Sequence, residues 1–211
     1  MRRLSILLAF LAFTVGLRAD EMKVYADIGA LGDKHITARP RIVVQRSGAE
    51  SRFYTDIGAL GDVSFTAKPK VISERSGSVT KFYTDIGPLG HKNFTANPVF
   101  VAISSGDGTI KYYNDIGPLG DVAMGARPRL IVENDDGTLK AYTSISALGD
   151  RYVTARPKLI VEKERGDLKA YLSINALGDK NITARPCLIF ESSDKYSISA
   201  VVMACVMMDV L

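Results

Sequence analysis

Tryptophan is absent from this chain of 211 residues, and there are only two cysteines and two histidines. Two cysteines are too few for a disulfide-stapled secreted scaffold, so stability must come from packed secondary structure. One bridge between Cys187 and Cys205 would pin the C-terminal tail. Two unpaired thiols, with Cys205 inside an apolar run, is the alternative, because loop geometry decides between them. His35 and His91 occupy non-equivalent places and read as surface residues, with no Ser–His–Asp arrangement around them. Metalloprotease, phosphate-loop, Cys-x-x-Cys and dinucleotide-binding glycine motifs are all missing. The expectation is a protein without catalysis, cofactor or metal. Helical periodicity is missing too: no stretch of ten residues holds a 3.6-residue pattern before the tail.

Charge of one sign is also lacking once the N-terminus is set apart. Arg2 and Arg3, the apolar stretch Leu4 to Val15 and Leu17-Arg18-Ala19 have the form of a secretory signal peptide over residues 1–19. Its apolar core is shorter than the ~20 residues that span a bilayer. The whole chain has 27 Lys and Arg against 23 Asp and Glu; without Arg2, Arg3 and Arg18 the balance is near neutral. No nucleic-acid partner follows from such a balance. The expected location is secreted, periplasmic or on the cell surface.

What the chain does have is a repeat. Tyr25, Tyr54, Tyr83, Tyr113, Tyr142 and Tyr171 recur at spacings of 29 residues, with a single 30 between Tyr83 and Tyr113. A fixed period of this size signals a repeat architecture whose units bury their apolar sides on one another. Six units fill residues 20–195, and residues 196–211 read as a degenerate capping tail that starts like a seventh unit. Ile28 and Leu31, the Gly after that Leu, Ala38 and Pro40 are retained at every equivalent position.

The unit predicts an all-β fold with about three short strands. Phe53–Ile57 alternates with period two, and so does Phe65–Lys68; a third run such as Leu130-Ile131-Val132 is apolar on both faces. Gly-containing turns such as Ser105–Gly108 and Asn134–Thr138 join the third strand of one unit to the first of the next. Pro between the second and third strands forces a bend. Stacking of the units as a β-solenoid-like array is the expectation, with a closed ring or small propeller as the alternative. A twelve-strand outer-membrane barrel competes; against it stand the prolines and the ~9–11 residues a spanning strand requires. A membrane contact is otherwise open only to the tail.

Candidate ligand positions lie on the polar faces. Tyr54, Tyr83, Tyr113, Tyr142 and Tyr171, with Arg39, Lys68, Arg127, Arg156 and Arg185, would form a repeated row suited to an extended polysaccharide or cell-surface ligand. The competing view is a solvated face of cross-strand pairs. Asp27/Asp33, Asp56/Asp62 and Asp115/Asp121 bracket the loop as calcium ligands would, but Ser144 and Ser173 replace the first acid in the last two units. Local turn bonding is the better account. Asn93 and Asn181 begin equivalent N-glycosylation sequons in units three and six.

Overall fold

The computed structural model describes residues 20–192 and 197–211. The signal-peptide reading of residues 1–19 therefore lies outside the described residues. Among the described residues there are twelve strands: β1 (Asp20–Tyr25), β2 (Ile42–Ser47), β3 (Glu50–Tyr54), β4 (Val71–Ser76), β5 (Val79–Tyr83), β6 (Phe100–Ser104), β7 (Thr109–Tyr113), β8 (Leu130–Asp135), β9 (Thr138–Tyr142), β10 (Leu159–Glu164), β11 (Asp167–Tyr171) and β12 (Leu188–Ser192). Among the described residues one helix, here α1, follows at Ile198–Met207.

Each unit thus supplies two strands, not three. The stretch read as a second strand folds into tight turns instead. Gly61 N–H donates to Gly58 O at 3.0 Å and Ala67 N–H donates to Ser64 O at 2.9 Å, and Phe65 is fully exposed between them. Pro69 then ends the loop, and Lys70 N–H rejoins the ladder on Phe53 O at 2.7 Å. Pro69 stands two residues before β4, where no ladder N–H is demanded of it.

The solenoid expectation gives way to a closed ring. All strands pair antiparallel with their sequence neighbours, and β1 closes on β12 through Met22↔Ser192 to Tyr25↔Ile189. The cause is the turn between units. Gly48-Ala49, Gly77-Ser78, Asp136-Gly137 and Arg165-Gly166 form two-residue hairpins, with positive φ at each glycine. Such turns lay successive units side by side in one sheet, and twelve twisted strands curl shut. The extra residue between Tyr83 and Tyr113 falls in the longer turn at Ser105–Gly108, where it leaves the ring unchanged.

Inward positions make one apolar core. Val24, Ile42, Val44, Phe53, Phe82, Tyr112, Leu159 and Phe190 belong to a single cluster with the residues of α1. About eight strands enclose just enough room for side chains, so twelve leave a lumen. The helix fills it. Val201 to Cys205 are all buried, and the segment Ile198–Met207 carries no charged residue. A helix that is apolar all round belongs inside a core. The tail is therefore a plug and not the start of a seventh unit. Cys187 and Cys205 are both free thiols, Cys187 half-buried in the wall and Cys205 buried on the helix. Burial pushes both thiols above their ordinary value.

Alternation sends the opposite residues outward, and ten of the twelve strands set charge there, among it Lys23, Arg52, Glu74, Lys81, Lys111, Glu133, Lys140, Glu162, Lys169 and Glu191. A membrane barrel needs the reverse, an apolar wall outside and a polar lumen. The strand count matches that alternative; the wall does not.

Candidate binding surface

The barrel's two ends follow from its connectivity. Short hairpins occupy one end, together with the start of β1 and the end of β12. The other end carries six long connections of sixteen residues: 26–41, 55–70, 84–99, 114–129, 143–158 and 172–187. Each begins with a miniature hairpin closed by a bridge such as Ile28↔Lys34 or Ile57↔Val63.

These miniature hairpins overlap the outer wall like shingles, each lying over the preceding unit. Lys23 Nζ donates to Asp62 Oδ1 at 2.8 Å, Lys81 to Asp121 at 2.8 Å, Lys111 to Asp150 at 2.7 Å and Lys140 to Asp179 at 3.0 Å. Lys169 to Asp33, at 2.9 Å, closes the circle from the last unit to the first. In the remaining step Arg52 and His91 replace the pair, at 3.2 Å. These contacts occupy the second acid of the five loops that have one, the acid weighed above as a calcium ligand. Asp56 instead accepts from Ser64 Oγ at 3.0 Å, and Asp85 from Asn93.

A second ring explains the invariant glycine and proline. Gly32 lies on Pro186, Gly61 on Pro40, Gly90 on Pro69, Gly120 on Pro98, Gly149 on Pro128 and Gly178 on Pro157. At Gly120, with φ of +75°, an added Cβ would come within 3.2 Å of Pro98 Cδ. Glycine is required both for that conformation and for the close approach.

The shingled layer changes the fate of the tyrosines. Tyr54, Tyr83, Tyr142 and Tyr171 are buried on the outer wall, and Tyr113 is half-buried. Lys92, Arg151 and Lys180 lie 4.3–5.0 Å from the ring centres of Tyr83, Tyr142 and Tyr171, and Lys34 covers Tyr25 in the same way. Lys34, Lys92, Arg151 and Lys180 also reach Glu191, Glu74, Glu133 and Glu162 at 2.5–2.7 Å. The equivalent positions in units two and four hold Val63 and Val122, and the matching strand positions hold Gln45 and Ile103. Where the loop loses its cation, the strand loses its anion. This compensation among internal copies is a signal that sequence reading had available and missed.

Burial raises Tyr171 first, and its hydrogen bond to Glu164 adds to the effect, taking the hydroxyl up to about 12. Burial likewise lifts Tyr25 and Tyr142. Lys23 is held up chiefly by its hydrogen bond to Asp62, and Asp33 is held down chiefly by Lys169.

The tyrosines therefore stand apart from the basic residues grouped with them on sequence grounds. Arg39, Lys68, Arg127, Arg156 and Arg185 are exposed on the long connections, one residue before the buried Pro. Arg41, Lys70, Arg129 and Lys158, one residue after it, are exposed as well. None of these nine side chains makes a hydrogen bond or ion pair among the described residues. The two sequon asparagines lie on the same connections, Asn93 exposed and Asn181 half-buried, with its amide donating to Ser173 Oγ at 2.6 Å.

Apolar side chains share this end. Among the described residues, all fifteen exposed large hydrophobics fall in the six long connections. Two per connection are at least 85% exposed, the invariant Leu (Leu31, Leu60, Leu89, Leu119, Leu148, Leu177) and a second position (Ile36, Phe65, Phe94, Met124, Val153, Ile182). Each is a central residue of a tight turn, as Leu31 is between Gly29 and Gly32, and Ile36 between His35 and Ala38. The invariant Leu is free, and only the invariant Ile is half-buried. Steric freedom at the tip of a glycine-bounded turn accounts for that exposure. No protein-family model matches the chain, and comparison with curated proteins finds no match either.

Proposed function

We propose that this protein is an exported, non-catalytic binding module that presents six near-equivalent loops around one end of a rigid barrel. The observation that carries this reading is the confinement of every exposed large hydrophobic among the described residues to those six connections. Soluble monomers rarely leave large contiguous apolar patches open unless the patch is used. The ion-pair and Gly–Pro rings fix the spacing of the loops, so binding costs little ordering. Six weak contacts on one rigid body add through effective concentration.

A polysaccharide is a less natural ligand for this surface than the sequence suggested. Its stacking partners would be the tyrosine rings, and four of the five proposed are buried. What remains on the surface is two apolar tips per loop and, on five of the six loops, unpaired cations beside the Pro.

Multivalency sets the test. Replacing the two tip residues by Ser in one, three and all six loops should lower adhesion to immobilised ligand surfaces in steps, by a similar factor per loop. The surfaces to use are a polysaccharide panel and supported lipid. Complete loss from one altered loop would mean a single asymmetric site and would overturn the reading.

A further inference from the structure

The chemistry of the loop end identifies its partner more closely, provided the multivalent reading above holds. We propose that this end docks on an anionic lipid bilayer, its apolar turn tips entering the interfacial zone while the neighbouring cations meet the headgroups.

Two independent features of the surface support this. The first is the tips. Phe65, Phe94 and Met124 are fully exposed on tight turns, with no apolar neighbour provided by the fold. Side chains of this kind gain most by leaving water for the acyl boundary. The second is unbalanced charge. On the six connections, the five acids after the miniature hairpins are paired with strand lysines, and the four cations at the next position are paired with strand glutamates. Left over are the nine unpartnered basic side chains flanking the prolines, against four acids at the starts of the loops. A polybasic patch beside inserted apolar groups is the combination that gives stable yet reversible membrane binding.

Charge also decides against the other apolar occupant, a second copy of this chain. Joining two loop ends would set nine unpartnered cations against nine more, without an excess of acid to meet them. A polyanionic glycan would satisfy the cations but leave the tips in water. An anionic bilayer satisfies both.

Absence of tryptophan makes the test direct. Phe94→Trp places one reporter on a tip, and Ser76→Trp places one at the hairpin end. Vesicles of equal parts phosphatidylcholine and phosphatidylglycerol are added to each purified protein. The Phe94→Trp emission should shift to the blue and the Ser76→Trp emission should not. By vesicle sedimentation, binding to pure phosphatidylcholine should be weaker, and rising salt should weaken binding to the mixed vesicles. Arg127→Gln, Arg156→Gln and Arg185→Gln should each lower binding roughly fivefold. The combined Phe65→Ser, Phe94→Ser and Met124→Ser variant should lower it about tenfold or more. Binding that depends on the arginines but ignores the tips would reveal simple anion attraction and overturn the proposal. Failure on vesicles with retention on dextran sulfate would overturn the lipid partner and leave multivalent binding standing. Failure on both, with the protein folded by circular dichroism, would remove both readings. Self-association in place of vesicle binding, seen by light scattering, would also overturn it.

Discussion

The two ends of this barrel are made from the same six units, yet they present opposite surfaces. At the hairpin end the chain turns in two residues at four of the five turns and in four at the other, with Gly, Ala, Ser, Asp and Arg at the tips. Contacts there are few, such as Arg46 and Arg75 donating to the carbonyls of Gly48 and Gly77 and Arg165 lying 4.0 Å from Asp33, and no Cβ added at Gly48, Gly77 or Gly137 would meet another atom. At the loop end each connection takes sixteen residues, twice bonds to its neighbours and still leaves its largest apolar side chains in water. A turn that needs only to reverse the chain is short. Sixteen residues maintained six times, with tips that contribute no burial, indicate selection for a surface.

The deepest way to break this comparison is through what both ends share, the lumen. Ala204 is completely buried on α1. Ala204→Asp places a carboxylate among apolar side chains, and a loss of about 3–5 kcal/mol is expected in urea unfolding. A loss under about 1 kcal/mol would show that the helix lies loosely in a wet channel. In that case the wall alone would hold both ends.

The glycine rings compare the ends directly. Gly137→Ala, at φ of +86° with open space around it, should cost about 1 kcal/mol from backbone strain. Gly120→Ala adds the 3.2 Å approach to Pro98 and should cost about 1–2 kcal/mol more. Equal thermal shifts for the two would mean that the Gly–Pro contact yields easily and the loops are held by charge alone.

Much of this plan was legible beforehand. The period, the hairpin turns, the all-β class and the double burial of the third run all came from alternation and turn chemistry. Ile131 illustrates the last point: it faces outward on β8 and is nonetheless buried, because the shingled layer covers it. Less legible was the loop. Phe65-Thr66-Ala67-Lys68 alternates as a strand would, but Gly61 at positive φ and the following turns leave no extended partner for it. Alternation reports a two-sided environment only where a ladder exists. The plug was hidden for a different reason: an evenly apolar ten-residue segment has no moment to read, and lumen width depends on strand number. The tyrosines misled because their period-two partner face was assumed to be solvent.

The seam between the last unit and the first offers a finer test. Lys169 is the only buried charged residue among those described, and its Nζ donates to Gly32 O and Asp33 Oδ1, both at 2.9 Å. Lys169→Met should cost about 1–2 kcal/mol, since a buried carbonyl loses its donor. Lys111→Met, at an equivalent but more exposed pair, should cost under about 1 kcal/mol. If the two match, closure of the ring places no special demand on the seam.

Alkali should loosen the loop end first. Tyr171 titrates near 10.0 when unfolded and at about 12 when folded, so the unfolded chain releases its proton earlier. Stability from this group is intact below pH 10 and is lost as pH rises toward 12. Hydrogen exchange at matched intrinsic rates should show the loop-end amides, such as Asn181 N–H to Ser173 O, opening before those of the hairpins. A simultaneous opening of both ends would mean that the buried tyrosines stabilise the barrel as a whole.

The smallest expected effect is the one that defines the surface. Leu148 and Phe65 are as exposed in the folded protein as in an extended chain, so removing them takes no burial away. Leu148→Ser and Phe65→Ser should therefore change stability by no more than about 0.5 kcal/mol in either direction. Retention among the six units gives that small effect its meaning. Residues retained for folding reveal themselves by cost, as Gly120 and Lys169 should. The invariant Leu is retained in every unit at no folding cost that its exposure allows. A thermal melt of Leu148→Ser that drops as far as that of Gly120→Ala would show that the Leu is packed after all, and the contrast between the two ends would reduce to one of loop length.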